Sequence, residues 1–313
     1  MNVREHLLAL QDELRRLKGE GRRSVSVSEE SLAALRLAVA ATPRPAKPEA
    51  AAVVISDPVA PESEPPTSAA APATRSASAK PGPPPGTAPV PSEPPVVSLP
   101  TGDKQTRWNA LRELVVNHPV CSAHLRPGKL AVLGVGNLDA KVFFCGEAPG
   151  AEEEVQGEPF VGPAGQLLTR MIQGMGLRRE DVYIGNIMNW RPEMPLNAAG
   201  VQFGNRPPTA EELAFCLPFL RAQLEIVQPE LIVALGATAA GGLLGPGTFK
   251  ALGEIRGRWH TFSGIPLMVT YHPSYILRNQ SNRSKRMIWE DLLQVMERAK
   301  LPISEKQKGY FLG

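Results

Sequence analysis

Between about Ala41 and Pro100 the chain carries 17 of its 32 prolines, set among Ala, Ser and Glu, and no aromatic residue at all. Such a stretch cannot bury enough apolar surface to offset its own ordering entropy, so it is expected to be a disordered, partly extended linker. It divides the 313 residues into unequal parts. The first aromatic residue of the sequence, Trp108, comes only after it, which places the start of the folded domain near residue 104. The expected organisation is short helices over 1–40, a Pro/Ala-rich linker over 41–103, one domain over 104–300 and a C-terminal tail over 301–313. Within the first part Leu7, Leu10, Leu14 and Leu17 fall at helical spacing, and Ser28 to Ala40 reads as a second short helix. Either could dock on a protein partner or on the main domain.

Charge by itself names no partner, because 34 Lys and Arg nearly balance 31 Asp and Glu. Three cysteines (Cys121, Cys145, Cys216) are too few for a disulfide framework and suit a reducing cytoplasm. The start, Met1 to His6, mixes charges and lacks the basic and apolar regions of a signal peptide. The longest apolar stretch, Leu231 to Gly245, is Gly-rich and too short to span a bilayer. A cytoplasmic protein without a membrane segment is expected.

From residue 104 onward, strand and helix patterns alternate. Lys141 to Cys145 reads as a buried strand, Gly165 to Met175 as a helix and Val182 to Ile187 as a strand. Thr209 with Glu212 three residues on forms a capping box that opens a helix to about Val227. Leu231 to Leu235, Trp259 to Phe262 and Leu267 to Thr270 read as strands, and Lys285 to Ala299 as a helix. This alternation implies an α/β sandwich around a mostly parallel sheet, with sites in the loops beyond the carboxyl ends of the strands.

Three of those loops carry unusual residues. The first, Gly146-Glu147-Ala148-Pro149-Gly150, lets backbone approach a ligand and aims one carboxylate outward; Pro159-Phe160-Val161-Gly162 follows, an aromatic beside small residues at a helix start. The second ends a strand at Asn186, whose amide donates and accepts at once. The third holds His272, stiffened by Pro273. Singly, each is more often a tight turn, a turn-forming Asn or a structural His.

Together, Gly146-Glu147-Ala148-Pro149-Gly150, Pro159-Phe160-Val161-Gly162, Tyr183-Ile184-x-Asn186 and His272-Pro273-Ser274-Tyr275 resemble, in order and spacing, the motifs of the type-4 uracil-DNA glycosylases. Arg256-Gly257-x-Trp259-His260 and Trp289-Glu290-Asp291-Leu292 are similar to that family too, so the resemblance covers roughly 115–300. It implies a three-layer α/β/α sandwich with a central, mostly parallel four-stranded sheet. It also implies a monofunctional hydrolase that flips uracil out of DNA and cleaves its N-glycosidic bond. By that likeness Gly146, Phe160 and Asn186 bind uracil, with Phe160 stacking and Asn186 reading N3–H and O4. His272 donates to O2, and Glu147 holds water and favours the cationic sugar. Position 148 is Ala where better-known uracil glycosylases place Asp, which leaves Glu147 less secure as a base. Leu277 and Arg278 are candidates to fill the gap in the duplex. Arg256, Arg258 and Ser274 are candidate DNA contacts, within a stretch from Ile255 to Trp289 that has six basic residues and no Asp or Glu. The acidic run Glu152-Glu153-Glu154 is expected to stay clear of phosphates.

The sequence departs from the family at two places. The family's [4Fe–4S] cluster takes four cysteines, and the corresponding positions here read Cys121, His124, Trp190 and Cys216. With two thiols missing, no cofactor is expected, and Trp190 would fill the vacated volume as core. Glu193 to Gly204 looks like an insertion; it contains no His or Lys, so the covalent trapping of a related branch is not expected. The resemblance implies uracil-containing DNA as partner and a monomer. Removal of another deaminated base such as hypoxanthine, or a decayed DNA-binding protein, are the alternatives.

Overall fold

The computed structural model describes residues 89–197 and 200–312. The helices expected over 1–40 and the linker as far as residue 88 lie outside the described residues. The end of that linker, 89–103, forms no regular element. Val90, Val97 and Leu99 nevertheless pack against a buried cluster containing Leu111, Val115 and Phe219, a contact its composition did not announce.

Helices α1 (Lys104–Asn117) and α2 (Pro119–Ala123) come first, then strands β1 (Val135–Gly136) and β2 (Val142–Gly146). The one-turn helix α3 (Glu153–Gln156) and α4 (Pro163–Gly174) lead to β3 (Tyr183–Asn186). Next come α5 (Ala210–Val227), β4 (Leu231–Leu235), α6 (Ala237–Leu244) and α7 (Leu252–Ile255). The hairpin β5 (Trp259–Phe262) and β6 (Ile265–Thr270), then α8 (Pro273–Arg278), α9 (Asn282–Arg298) and α10 (Glu305–Lys308), complete the described chain. The expected capping box opens α5: the Thr209 hydroxyl accepts from the Glu212 N–H at 3.2 Å, and the Glu212 carboxylate accepts from the Thr209 N–H at 2.7 Å.

The sheet runs β1-β3-β2-β4-β6-β5. Its four inner strands are parallel, and β1 and β5 add antiparallel edges that make it six-stranded. Alternation along the inner strands feeds two helical layers. Val142 and Phe144 of β2, with Leu231, Val233 and Leu235 of β4, face Leu168 and Ile172 of α4 and Leu292 and Val295 of α9. Phe143, Cys145, Ile232 and Ala234 face Leu220 and Leu224 of α5 and Ala239 and Ala240 of α6. Burial on both sides is why these strands read as unbroken apolar runs. A third cluster joins α1 to the opposite flank of α5 through Leu111, Val115, Phe215 and Phe219.

The C-terminal segment beyond residue 300 returns over α4 and α9. The Trp289 indole N–H donates to the Gln307 carbonyl at 2.6 Å, and the Gln307 amide donates to the Gly174 carbonyl at 2.8 Å. Strand β2 has β3 on one side and β4 on the other, so the chain crosses over between them and opens a crevice at their carboxyl ends. Among the described residues, no helix is long and apolar enough to cross a membrane.

Candidate active site

A cleft of about 620 Å³ opens at that end of the sheet, and Glu147, Phe160, Asn186, His272 and Arg278 all line it. Glu147 directly follows β2, Asn186 ends β3 and His272 lies just beyond β6. The three loops singled out in the sequence therefore converge. Gly146 lies beneath two of the others: a Cβ there would collide with the Phe160 ring and the Asn186 amide oxygen.

Phe160 takes a left-handed backbone, φ 54°, which costs a non-glycine residue about 1–3 kcal/mol and persists only where its surroundings enforce it. Its ring stacks near His272, with centroids 5.6 Å apart and planes at 30°. A Cβ on Gly165 would strike the Phe160 carbonyl, so the tight turn into α4 requires glycine there. The enforcing group is Glu153, which the sequence reading missed. Its carboxylate accepts from the N–H groups of Gly150 (3.1 Å), Val161 (3.0 Å) and Gly162 (2.9 Å), joining the two motif loops. Of the acidic run, Glu152 and Glu153 line the cleft, and buried Glu154 pairs with Arg191 at 2.9 Å and Lys129 at 3.6 Å. A carboxylate between two Gly-Pro turns rich in unpaired N–H groups was the available signal.

Asn186 is 4% exposed, and neither its amide nitrogen nor its amide oxygen has a partner. His272 caps α8, with Nδ1 accepting from the Ser274 N–H at 3.1 Å and lying 2.9 Å from the Ser274 hydroxyl. In the neutral ring this puts the hydrogen on Nε2. Burial, aided by the positive charge of Arg278, holds the His272 pKa down to about 4, so the ring is neutral at physiological pH. Burial pushes the Glu147 carboxyl up, and a hydrogen bond from the Thr238 side chain partly offsets this. Thr238 stands in the first turn of α6 and was another residue the sequence reading passed over.

The expected DNA contacts divide. Ser274, Leu277 and Arg278 line the cleft, and Arg258 is exposed. Arg256 is instead held inside: it pairs with Asp291 at 2.8 and 3.2 Å and donates to the Met287 carbonyl at 2.9 Å. Arg286 likewise pairs with Glu290 at 2.9 Å. Both acidic partners lie on α9 just past the stretch that counted as purely basic.

The four positions corresponding to cluster ligands come together, but not as a ligand set. Trp190 is fully buried, stacked on His124 (4.8 Å, 5°) and tilted against Phe215 (6.0 Å). Cys121 and Cys216 belong to the same apolar cluster. Burial in the metal-free fold pushes the Cys121 thiol up to about 12 and Cys216 well above its ordinary value. Among the described residues, no three His, Cys, Asp or Glu side chains are placed to hold a metal ion. The residues present do not fit a four-iron cluster, since an indole offers no lone pair to iron. His124 Nδ1 instead lies 3.4 Å from the carboxylate of Glu193, at the start of the insertion.

Comparison with known proteins places this geometry. The Uracil DNA glycosylase superfamily pattern matches residues 133–293. A type-4 uracil-DNA glycosylase of Thermotoga maritima is 44% identical over 183 residues, covering 58% of this chain and 88% of that protein. The type-4 uracil-DNA glycosylase of Saccharolobus solfataricus is 39% identical over 54% of this chain and 76% of its own length. That of Pyrobaculum aerophilum is also 39% identical, over 56% and 87%. With its motif loops gathered at one end of a parallel sheet and these similarities across its folded domain, the chain belongs to the type-4 branch of the uracil-DNA glycosylase superfamily.

Proposed function

We propose that the protein flips uracil out of DNA and hydrolyses its N-glycosidic bond, releasing free uracil and leaving an abasic site. The observation that carries this reading is the Asn186 amide, buried with donor and acceptor both unmatched. Leaving such groups unpaired costs about 1–3 kcal/mol each until a ligand completes them. Uracil presents O4 to the amide N–H and N3–H to the amide oxygen. Cytosine presents the opposite pattern and would leave both groups of an amide held in that orientation unsatisfied.

In this reading Phe160 stacks on the flipped base, and stacking and edge contacts offset a flipping cost of roughly a few kcal/mol. As the bond from C1′ to the base lengthens, charge gathers on O2. The Nε2–H of neutral His272 meets it there, and Ser274 fixes the ring that donates it. The Glu147 carboxylate favours the cationic sugar and orients the water that adds to C1′. Leu277 fills the vacated stack, while Arg258 and Arg278 meet phosphates. The His124–Trp190 stack supports the further reading that packing does the cluster's structural work and the enzyme carries no iron. Three buried free thiols suit a reducing cytoplasm.

The test is release of uracil from a labelled oligonucleotide by purified protein assayed for iron. Wild type is expected to leave an alkali-labile abasic site while colourless and iron-free. His272→Ala should slow the reaction about 100- to 1,000-fold, the usual effect of losing one oxyanion donor. A folded wild type that releases no uracil from single- or double-stranded DNA would sink the reading.

A further inference from the structure

Among its described residues the insertion combines a polar, hydrogen-bonded base with exposed apolar side chains. At the base, the buried Gln202 amide accepts from the Met194 N–H (3.0 Å) and donates to the carbonyls of Pro192 (3.1 Å) and Gly204 (3.2 Å). Arg206 donates to the Glu193 carbonyl (2.7 Å), and Arg191 donates to the Gly204 carbonyl (2.7 Å) and the Asn205 side chain (2.8 Å). A bridge between Leu196 and Gln202 closes the loop. Against so fixed a base, Leu196 is 52% exposed, Val201 57% and Phe203 88%. No charged residue lies between Met194 and Asn205. An aromatic ring left almost wholly in water adds nothing to the core and leaves its face free to meet a ligand.

The position selects that ligand. Gly204, Asn205 and Arg206, the three residues after Phe203, line the same cleft as Phe160, Asn186 and His272. The ring is thus mounted one residue, about 3.8 Å of chain, from the cleft wall. DNA with a base flipped into that cleft has its neighbouring nucleotides at the cleft's rim, of which the segment after Phe203 forms part. A flat aromatic ring offers their faces a stacking surface without regard to sequence. Building on the glycosylase reading, we propose that Phe203 is a stacking platform for an unpaired base beside the flipped uracil, which favours single-stranded over duplex substrate. In a duplex the neighbouring base is already stacked and paired, so the platform gains little there.

The test compares wild type, Phe203→Ala, Phe203→Leu and Phe203→Trp. Kinetics are measured on single-stranded and duplex uracil oligonucleotides, and binding by fluorescence anisotropy on the same strands carrying a non-cleavable abasic analogue. Phe203 is exposed, so the variants should melt with wild type. Phe203→Ala is expected to raise KM and Kd on single strands about tenfold with kcat unchanged, and to change duplex values by less than about threefold. Phe203→Trp should keep wild-type values and Phe203→Leu should not. Unchanged single-strand values, equal losses on both DNAs, or full rescue by Leu would each overturn the platform. Wild type that binds but releases no uracil refutes the glycosylase reading alone, and the anisotropy comparison then decides Phe203. Wild type that neither binds nor cleaves refutes both.

Discussion

At the scale of single residues, His272 and Glu147 stand in opposite protonation regimes for one reason, desolvation of the charged form. His272 stays neutral down to about pH 4, whereas an unfolded chain takes up that proton near 6.5. The unfolded state therefore binds more protons between these values, and stability falls as pH drops from 6.5 towards 4 while being undiminished above 6.5. Melting temperatures should show that acid loss in wild type and a smaller one in His272→Gln. For activity the same shift means that acid does not charge the His272 ring until about pH 4. The acid limb of kcat/KM is expected above the ordinary carboxylate value, set by the raised Glu147 pKa of the free enzyme, and should vanish from the slow residual activity of Glu147→Gln. Glu153 acts through others by holding Phe160 in place. Glu153→Gln keeps the size but turns one acceptor into a donor facing backbone N–H groups. It should raise KM for uracil-containing DNA by about tenfold, whereas a merely surface Glu would leave it unchanged.

At the scale of elements, the loops are held by ties between segments distant in the chain. Arg191 joins Glu154 behind the first motif to Asn205 and Gly204 at the end of the insertion. Removing Arg191 leaves the buried Glu154 carboxylate with Lys129, at the longer distance of 3.6 Å, as its remaining ion-pair partner. Arg191→Met should destabilise the fold by about 3–5 kcal/mol in denaturant titrations, while Arg191→Lys keeps the charge and loses the forked geometry. The Trp190–His124 stack occupies the volume between α2 and α5. Trp190→Ala should cost a similar amount, about 3–5 kcal/mol, and the purified variant should still contain no iron. A loss of bound iron on that substitution would instead show that a cluster had been there.

At the scale of the molecule, the charge pattern changes meaning once the chain is folded. Of the six basic residues between Ile255 and Trp289, Arg256 and Arg286 are paired with acids on α9, leaving a smaller basic surface than the sequence suggested. Affinity for DNA should still weaken with salt, and Arg278→Ala should flatten the slope of log affinity against log salt by about one, whereas Arg256→Ala should act mainly on stability. Much of this protein was determined locally. The parallel strands could be read because residues such as Val142 to Cys145 are apolar on both faces, and α5 because Thr209 and Glu212 cap it within four residues. The positions of Glu147, Asn186 and His272 could be read because each lies at or just beyond the carboxyl end of a strand. What only the tertiary structure decided depends on partners far apart in sequence. Glu153 bonds backbone N–H groups of loops that meet only in the fold. Arg256 finds Asp291 thirty-five residues on, and Phe203 gains its place from a cleft wall it does not itself form. Burial and pairing follow from distance in space, and a linear pattern records that distance only where the chain turns back on itself at once.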